Sequence, residues 1–235
     1  MKRDLPNSVL TKMSYTIPMD RRAFAKLALT GLGVAAVPVG LTRAQTPMSY
    51  PPAPPLTGAP PPSIGTATYR PLLERAKAAL DRHHSEFQLR DRVALADFGR
   101  ASRDMRFHIV DLISGQSWSY LVAHGRGSDP EHTGYLQNFS NDMGSLATSA
   151  GTYKTGEMYI GVHGRAMRLI GLDPSNNLAD PRAIVVHSAP YATEDHIGRW
   201  GKLGRSEGCF VVAPHMLEAV LGLLGPGRML YADKA

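Results

Sequence analysis

The chain has 235 residues, a formal net charge of +6 and a single cysteine, so it is long enough for one sizeable core with extensions and cannot form an internal disulfide. The first 44 residues carry seven Lys and Arg against two acidic residues, whereas the remainder carries 19 basic and 18 acidic residues. Because the basic excess is confined to the N-terminal segment, composition argues against nucleic-acid binding by the rest of the chain.

The N-terminal segment has the organisation of an export signal. Residues 20–26 read DRRAFAK, twin arginines followed by Phe and Lys, and fifteen uncharged, mostly apolar residues follow, 27–41. This pattern resembles a twin-arginine signal, with small residues Thr42 and Ala44 before a cut. We expect residues 1–44 to be an over-extended start, with translation beginning at Met19, plus this signal. An uncleaved anchor is the alternative. Either way the domain is predicted to be periplasmic or otherwise exported, with no stable membrane insertion after cleavage.

Residues 45–68 are predicted to be a proline-rich linker. Eight of the sixteen residues from Pro47 to Pro62 are proline, and the stretch carries no charge, which favours an extended, semi-rigid tether. A ligand for a partner domain is the alternative use.

Residues 69–92 are predicted to hold an amphipathic helix. Pro71 suits its first turn, His83 and His84 end it, and apolar residues at spacings of three and four form one face. The face consists of Leu72, Leu73, Ala76, Ala79 and Leu80.

From residue 93 to 235 the apolar period changes from helical to two. The stretch MRFHIVDLISGQSWSYLVAHG predicts a β-hairpin turning at Ser114 and Gly115, and EMYIGVHG, AMRLIGL, RAIVVHS, CFVV and RMLYA are further strand candidates. Residues 214–224 predict a second helix, stopped by Gly225. Many short strands with few helices predict a mostly-β (α+β) domain.

Cys209 lies where a loop, GRSEG, meets the strand candidate CFVV. An exported single cysteine is buried and inert, paired with another chain, or used in chemistry. Gly208 before it would let backbone N–H groups approach a reacting carbonyl. His187 ends the strand RAIVVHS, 22 residues earlier. Spacing alone leaves open whether His187 is a base for the thiol or a core histidine bonded to a carbonyl.

The segments RAIVVHSAPY and GKLGRSEGCFVVAP resemble the catalytic core of the L,D-transpeptidase (YkuD-like) family, in which a His precedes a Ser/Thr-x-Gly-Cys signature. LVAHGRGS and NFSNDMGSLATSAGTYKTGEMYIGVHGRAMRLIGLD resemble the murein L,D-transpeptidase branch of that family. The resemblance runs from about Phe107 to Tyr231 and leaves out the first helix. It implies a β-sandwich or barrel catalytic domain in residues 93–235.

The resemblance implies roles for residues of the signature. Cys209 would be the nucleophile and His187 its general base, with the carbonyl of Ser188 orienting the imidazole. Gly208 and Cys209 would supply oxyanion-hole N–H groups. Ser206 heads the signature, shapes its loop and is expected at the substrate.

Two positions depart from the family pattern. Many members have His where this chain has Glu207, and many have Gly where it has Ser188. A carboxylate at 207 would oppose thiolate formation unless Arg205 or Lys202 offsets its charge.

Substrate contacts are expected from four further residues. His163 and Arg168 would line the cleft, Arg205 would lie beside the signature, and Tyr191, with Trp200, would form a lid over it. Packing is the plainer alternative for Tyr191 and Trp200.

The function implied is a cysteine acyl-transferase that acts on peptidoglycan stem peptides and forms L,D crosslinks through a thioester. Hydrolysis of the same thioester would make it an L,D-carboxypeptidase, and a non-catalytic wall-binding module is the alternative outside enzymology. A metal hydrolase is disfavoured because His163, His187, His196, His215 and Cys209 have no HExxH or CxxC spacing. No cofactor, metal or oligomeric state is predicted.

Overall fold

The computed structural model describes residues 68–235. The predicted signal, residues 1–44, and nearly all of the predicted linker, residues 45–68, lie outside the described residues. Eight strands and three helices follow in chain order, which confirms the mostly-β prediction. They are α1 Arg70–Arg82, β1 Arg92–Asp97, β2 Phe107–Asp111, β3 Ser117–Tyr120, β4 Gly151–Gly161, β5 Gly164–Gly171, β6 Val185–Ser188, α2 Glu194–Trp200, β7 Phe210–Val212, α3 Leu217–Leu224 and β8 Met229–Asp233.

The strands form one mixed sheet in the order β3-β2-β1-β8-β4-β5-β6-β7. The pairs β1/β8 and β6/β7 are parallel and the other neighbours are antiparallel. The chain that continues from β3 crosses to the opposite edge, where Ala123 pairs antiparallel with Val211 of β7. The two edges of the sheet are thereby joined, which shields β7 from pairing with another chain.

The predicted β2/β3 hairpin is present, with Ile109 opposite Trp118. The two candidates EMYIGVHG and AMRLIGL form one long hairpin, β4/β5, which starts earlier than expected, at Gly151, and has a bulge between Thr155 and Met158. Strand β1 was not predicted. Both of its faces are buried, with five of its six residues inaccessible to solvent, so its sequence lacks the alternation of apolar and polar residues that marks a half-exposed strand.

The sheet has two different faces. Its inner face holds the main core, where Ile109, Tyr153 and Phe210 pack with the apolar side of α3. On the outer face α1 buries the five residues predicted for its apolar side. They pack against four sheet residues, Val93, Leu95, Val110 and Met229. The domain boundary at residue 92 stays a prediction, although α1 and the sheet share this apolar layer.

The second predicted helix also lies where expected, with a different first turn. Residues Pro214–Met216 form a 3-10 turn, and the α-helix runs from Leu217 to Leu224 and ends before Gly225. Within residues 68–235, none of the helices combines the length and the apolar character that crossing a bilayer requires.

A buried polar cluster fixes the segment that crosses from β3 to β7. The fully buried Arg106 donates to the carbonyl of Val122 at 2.9 and 3.1 Å and to His124 Nδ1 at 2.7 Å. Burial and the charge of Arg106 lower the pKa of His124 to about 3, so its ring is neutral and Nδ1 accepts. The other ring nitrogen lies 3.4 Å from the carboxylate of Asp129. The hydrogen bonds of Arg106 to the Val122 carbonyl and to His124 Nδ1 fix the start of this segment beside the Cys209 loop, whereas His124 Nε2 has no hydrogen-bond partner among the described residues.

Candidate active site

Strand register places Cys209 and His187 on the same face. In the parallel pair β6/β7, Val186 lies opposite Phe210 and His187 opposite Val211. Val186 and Phe210 both face the inner core. Because side chains alternate along a strand, His187 and Cys209 point to the outer face. His187 is 3% exposed and Cys209 is half-buried. The two residues that the sequence singles out are therefore diagonal neighbours.

The imidazole of His187 is held on two sides. Its Nδ1 lies 3.1 Å from the carbonyl oxygen of Ser188, and its ring stacks on that of His163 with centroids 4.6 Å apart. Burial lowers the pKa of His187 below 6.5; the Ser188 carbonyl opposes this and the charge of His163 reinforces it. A neutral ring whose Nδ1–H donates to Ser188 carries its basic lone pair on Nε2. The contact implied for Ser188 is thus present, and the roles of both residues remain predictions.

The thiol of Cys209 lies against the chain that leads into β6. Its Sγ is 3.6 Å from the carbonyl oxygen of Ala183. Burial raises the pKa of the thiol above 9.0, and the charge of Glu207 adds to this; a backbone hydrogen bond from Val185 and the charge of Arg182 lower it. The net direction is upward, so the resting group at neutral pH is a protonated thiol.

A tight turn aims the Ala183 carbonyl at this thiol. The N–H groups of Arg182, Ala183 and Ile184 donate to the carbonyls of residues 178, 180 and 179, each at 2.9 Å. Ala183 has a φ of 53°, in the left-handed region that costs a residue with a Cβ about 1 kcal/mol. The turn is therefore held in place by its neighbours rather than by local preference.

Gly208 is required by conformation and by space. Its φ is 117°, and a Cβ there would lie 2.6 Å from Ile184 Cδ1 and 2.8 Å from the carbonyl oxygen of Ala147. Its N–H donates to Ser206 Oγ at 3.2 Å. An oxyanion role for this N–H, which remains a prediction, would compete with that hydrogen bond.

Ser206 closes the signature loop from within. It is 4% exposed, and its hydroxyl donates to the carbonyl of Cys209 at 2.7 Å. The position fits its expected role in shaping the loop more closely than a direct contact with substrate.

The cation that pairs with Glu207 is Arg126, not Arg205 or Lys202 as expected. Arg126 Nη2 lies 2.8 Å from Glu207 Oε1. The guanidinium of Arg205 donates to the carbonyls of Asp129 and Pro130, and Lys202 donates to the carbonyl of His132. Arg205 and Lys202 are near Cys209 in the chain, whereas the cation that pairs with Glu207 comes from the segment that crosses from β3.

The other predicted substrate residues occupy the surroundings of the pair. His163 lies in the exposed turn between β4 and β5. Arg168 lies opposite Val185, 4.8 Å above the ring of Tyr159, with Nε 3.0 Å from Glu157. It is therefore close to the site but already engaged. These assignments remain predictions.

Tyr191 and Trp200 belong to the segment between His187 and Cys209, which we expected to be a loop. It contains α2, capped by the Thr193 hydroxyl and ended by Gly201 at φ 70°. A Thr cap and a terminal Gly are signals that could have predicted this helix. Tyr191 is half-buried, and burial raises its pKa to about 12. Trp200 is 66% exposed.

Three loops meet at Gly208, and the sequence did not predict the close backbone contacts between them. A Cβ on Gly125 would lie 2.4 Å from the carbonyl oxygen of Leu146, and one on Gly127 would lie 1.9 Å from that of Ser145. Thr148 Oγ1 accepts from Gly125 N–H at 2.9 Å and donates to the Gly208 carbonyl at 3.2 Å. The motifs AHGRGS and GSLATSAG thus support the signature loop through backbone contact.

Across the part of the chain that the structure describes, no group of three or more His, Cys, Asp or Glu side chains is arranged to hold a metal ion.

Comparison with known families gives one match over most of the chain. The model of the YkuD_2 family, described as L,D-transpeptidase catalytic domain, matches residues 66–232. This span begins further toward the N-terminus than the resemblance and includes α1. No curated protein matches the chain.

Solved structures of similar proteins include an L,D-transpeptidase from Mycobacterium smegmatis, with 14% identity over 61% of this chain and 58% of that one, at a TM-score of 0.36. An L,D-transpeptidase from Stackebrandtia nassauensis shares 12% identity over 68% of this chain and 65% of that one, at a TM-score of 0.36. The helical cell shape determining protein Pgp2 from Campylobacter jejuni shares 14% identity over 63% of this chain and 48% of that one, at a TM-score of 0.41. The chain spans less than two thirds of the length of each of these proteins.

Proposed function

The chain belongs to the L,D-transpeptidase catalytic domain family, and we propose that it is an exported cysteine acyl-transferase that acts on peptidoglycan stem peptides. The observation that carries the proposal is the register of β6 and β7, which sets His187 and Cys209 on one face. The hydrogen bond between His187 Nδ1 and the Ser188 carbonyl supports it, because it leaves Nε2 as the base.

The first step forms a thioester. Sγ of Cys209 attacks the carbonyl carbon that follows an L-centre in a tetrapeptide stem, while His187 Nε2 takes the thiol proton. The C–N bond to the terminal D-residue then breaks, and the same proton passes to the leaving amine. The thiol must turn away from the Ala183 carbonyl to meet His187, since its hydrogen bond in the resting protein goes to Ala183.

The second step decides the product. An amine of a neighbouring stem attacks the thioester, gives up its proton through His187 to Sγ and forms an L,D crosslink. Water in place of the amine would give an L,D-carboxypeptidase with the same residues. We propose the crosslinking outcome, because the family is described by transpeptidation.

Proton transfer accompanies attack in this proposal. Burial raises the pKa of Cys209 and lowers that of His187, so near neutral pH both groups are uncharged. The pair therefore rests as thiol and imidazole rather than as a thiolate and imidazolium, and His187 acts as a general base during the attack.

Export and reach complete the proposal. The twin-arginine pattern at residues 20–26 would deliver the domain to the periplasm or beyond, and the prolines of residues 47–62 would act as a spacer. A substrate that is a large insoluble wall favours a tethered catalytic domain.

The test is mass spectrometry of the purified protein after incubation with disaccharide tetrapeptides, and separately with a carbapenem. We expect an acyl adduct on Cys209 with both, and crosslinked dimers rather than trimmed monomers from the tetrapeptide. Tripeptide products without dimers would indicate the carboxypeptidase. Binding to wall fragments without any adduct on Cys209 would overturn the enzymatic proposal in favour of a wall-binding module.

A further inference from the structure

A half-buried cation, Arg182, lies next to the Cys209 loop, and neither the signature nor the mechanism uses it. The guanidinium of Arg182 is half-buried, and a Cβ placed on Gly208 would lie 3.3 Å from its Nη2. Arg182 also directly precedes Ala183, whose carbonyl holds the thiol at 3.6 Å. The charge therefore lies next to Gly208, one residue before the thiol.

The guanidinium is fixed by its hydrogen bonds. Nη1 donates to the carbonyl of Ser140 at 2.9 Å and to Ser149 Oγ at 2.6 Å. Nη2 donates to Ser145 Oγ at 3.2 Å and to the carbonyl of Ala147. Four hydrogens on the two terminal nitrogens meet four neutral acceptors, so these nitrogens have no donor left for substrate. Within residues 68–235 no carboxylate is bonded to this guanidinium, although the charge of Asp142 acts on it from a distance.

The other groups that act on the thiol do not supply a positive charge. Glu207, from the same loop, is negative and paired with Arg126. Tyr153 on β4 and Tyr191 after β6 both have pKa values raised by burial, so they are neutral. His187 on β6 is neutral as well. Among the described residues, the charges that act on Cys209 are those of Glu207 and Arg182, and they act in opposite directions.

We propose that Arg182 is a positioning residue whose fixed charge stabilises the anionic sulfur of Cys209 through space. The sulfur carries negative charge when its proton leaves for His187 and again when the thioester is resolved, so a preorganised cation favours both moments. Arg182 has no contact with the stem peptide in this proposal. The inference rests on the proposed function in that Cys209 must be the reactive group.

The test measures the thiol itself, in the full chain, against pH. The chain has one cysteine, so alkylation by iodoacetamide, a neutral reagent, reports only Cys209. For Arg182→Gln we expect alkylation about three- to tenfold slower than in the unaltered protein at pH values below the thiol pKa, since loss of a nearby opposite charge disfavours the anion. The two rates should converge at high pH, where the thiol is ionised in both proteins. An unchanged pH profile would overturn the proposal.

A control variant separates the effect of the Arg182 charge from a general effect of losing a half-buried arginine on the fold. Arg228 is another half-buried arginine, bonded to Asp91 at 2.8 Å and to the carbonyl of Leu224. Arg228→Gln should lower the free energy of unfolding and leave the alkylation profile in place. If it shifts the profile as much as Arg182→Gln, the effect is structural and the proposal fails.

A second pair of variants keeps Arg182 in place. Ser149→Asp sets a carboxylate beside Nη1 and offsets its charge, and Ser149→Asn has the same shape without the charge. We expect the Asp variant to be alkylated several-fold more slowly than the Asn variant below the thiol pKa. Equal rates would overturn the proposal even if Arg182→Gln does not fold. Because alkylation needs no turnover, this result does not depend on whether the protein crosslinks or trims stems.

Discussion

Two parts of the outer face of the same sheet are covered in different ways. Over β1, β2 and β8, α1 buries five apolar residues against the sheet. Over β6 and β7, short segments that include α2 cover the face in part, and His187 and Cys209 lie beneath them. The first part contributes stability through area removed from water. The second part buries less apolar area and holds an imidazole and a thiol.

The comparison predicts that substitutions in the two parts separate activity from stability. The largest effect is expected for Cys209→Ala, which removes the proposed nucleophile. We expect acyl transfer to tetrapeptide to fall below detection while the free energy of unfolding changes by less than about 1 kcal/mol. Product analysis and urea unfolding of the same preparation check this. Retained turnover would mean that the half-buried thiol is only packing.

The next largest effect is expected at His187, the proposed general base. His187→Gln keeps a polar side chain but cannot take the thiol proton, so kcat/KM should fall by about 10²- to 10⁴-fold. The matched change His163→Gln alters the ring stacked on it without removing the base, and should cost less. A greater loss for His163→Gln than for His187→Gln would indicate that His163, not His187, is the base.

The pH dependence of the unaltered protein follows from the same histidine. A general base works only when deprotonated, and burial lowers the pKa of His187 below 6.5. Activity should therefore persist as the pH falls to 6.5 and decline only below it. A kcat/KM profile between pH 4 and 8 measures this, and a decline centred above 6.5 would contradict the assignment.

The covered part should respond in stability alone. Leu72 is fully buried between α1 and the sheet, and Leu72→Ala should lower the free energy of unfolding by about 2 to 5 kcal/mol. Under conditions where the Leu72→Ala protein is still folded, the alkylation rate of Cys209 should equal that of the unaltered protein. A shift in that rate would show that the α1 side of the sheet is coupled to the reactive side.

The smallest effect is expected from the exposed ion pair beside the thiol. Glu207 raises the pKa of Cys209, so Glu207→Gln should speed alkylation about twofold below that pKa, because more of the thiol is ionised. Arg126→Gln, which removes the partner of Glu207, should slow it. If both variants speed alkylation, or both slow it, Arg126 does not offset the charge of Glu207.

How far sequence predicts this molecule differs between the same two parts. The apolar face of α1 was predicted residue by residue, because helical periodicity is written in consecutive residues. The strand-end positions of His187 and Cys209 suggested that the two face each other but left a core histidine equally open. Only the resemblance chose between these interpretations, since residues 22 apart on two short strands carry no pairing signal of their own. The partner of Glu207 was missed because Arg126 reaches it from 81 residues away. Arg182 and Thr148 act through loops whose contacts depend on the complete fold.

The bridge between Ala123 and Val211 bears on how a substrate can approach. Peptides often bind by adding a strand to an open sheet edge, where main-chain hydrogen bonds supply most of the affinity and pockets for alternate side chains supply the specificity. β7 has β6 on one side and the Ala123 segment on the other, so that mode of binding is closed next to Cys209. If the protein acts on stem peptides as proposed, a stem would lie across the outer face, where recognition by side chains and loop carbonyls would allow selectivity for the chirality of each stem residue.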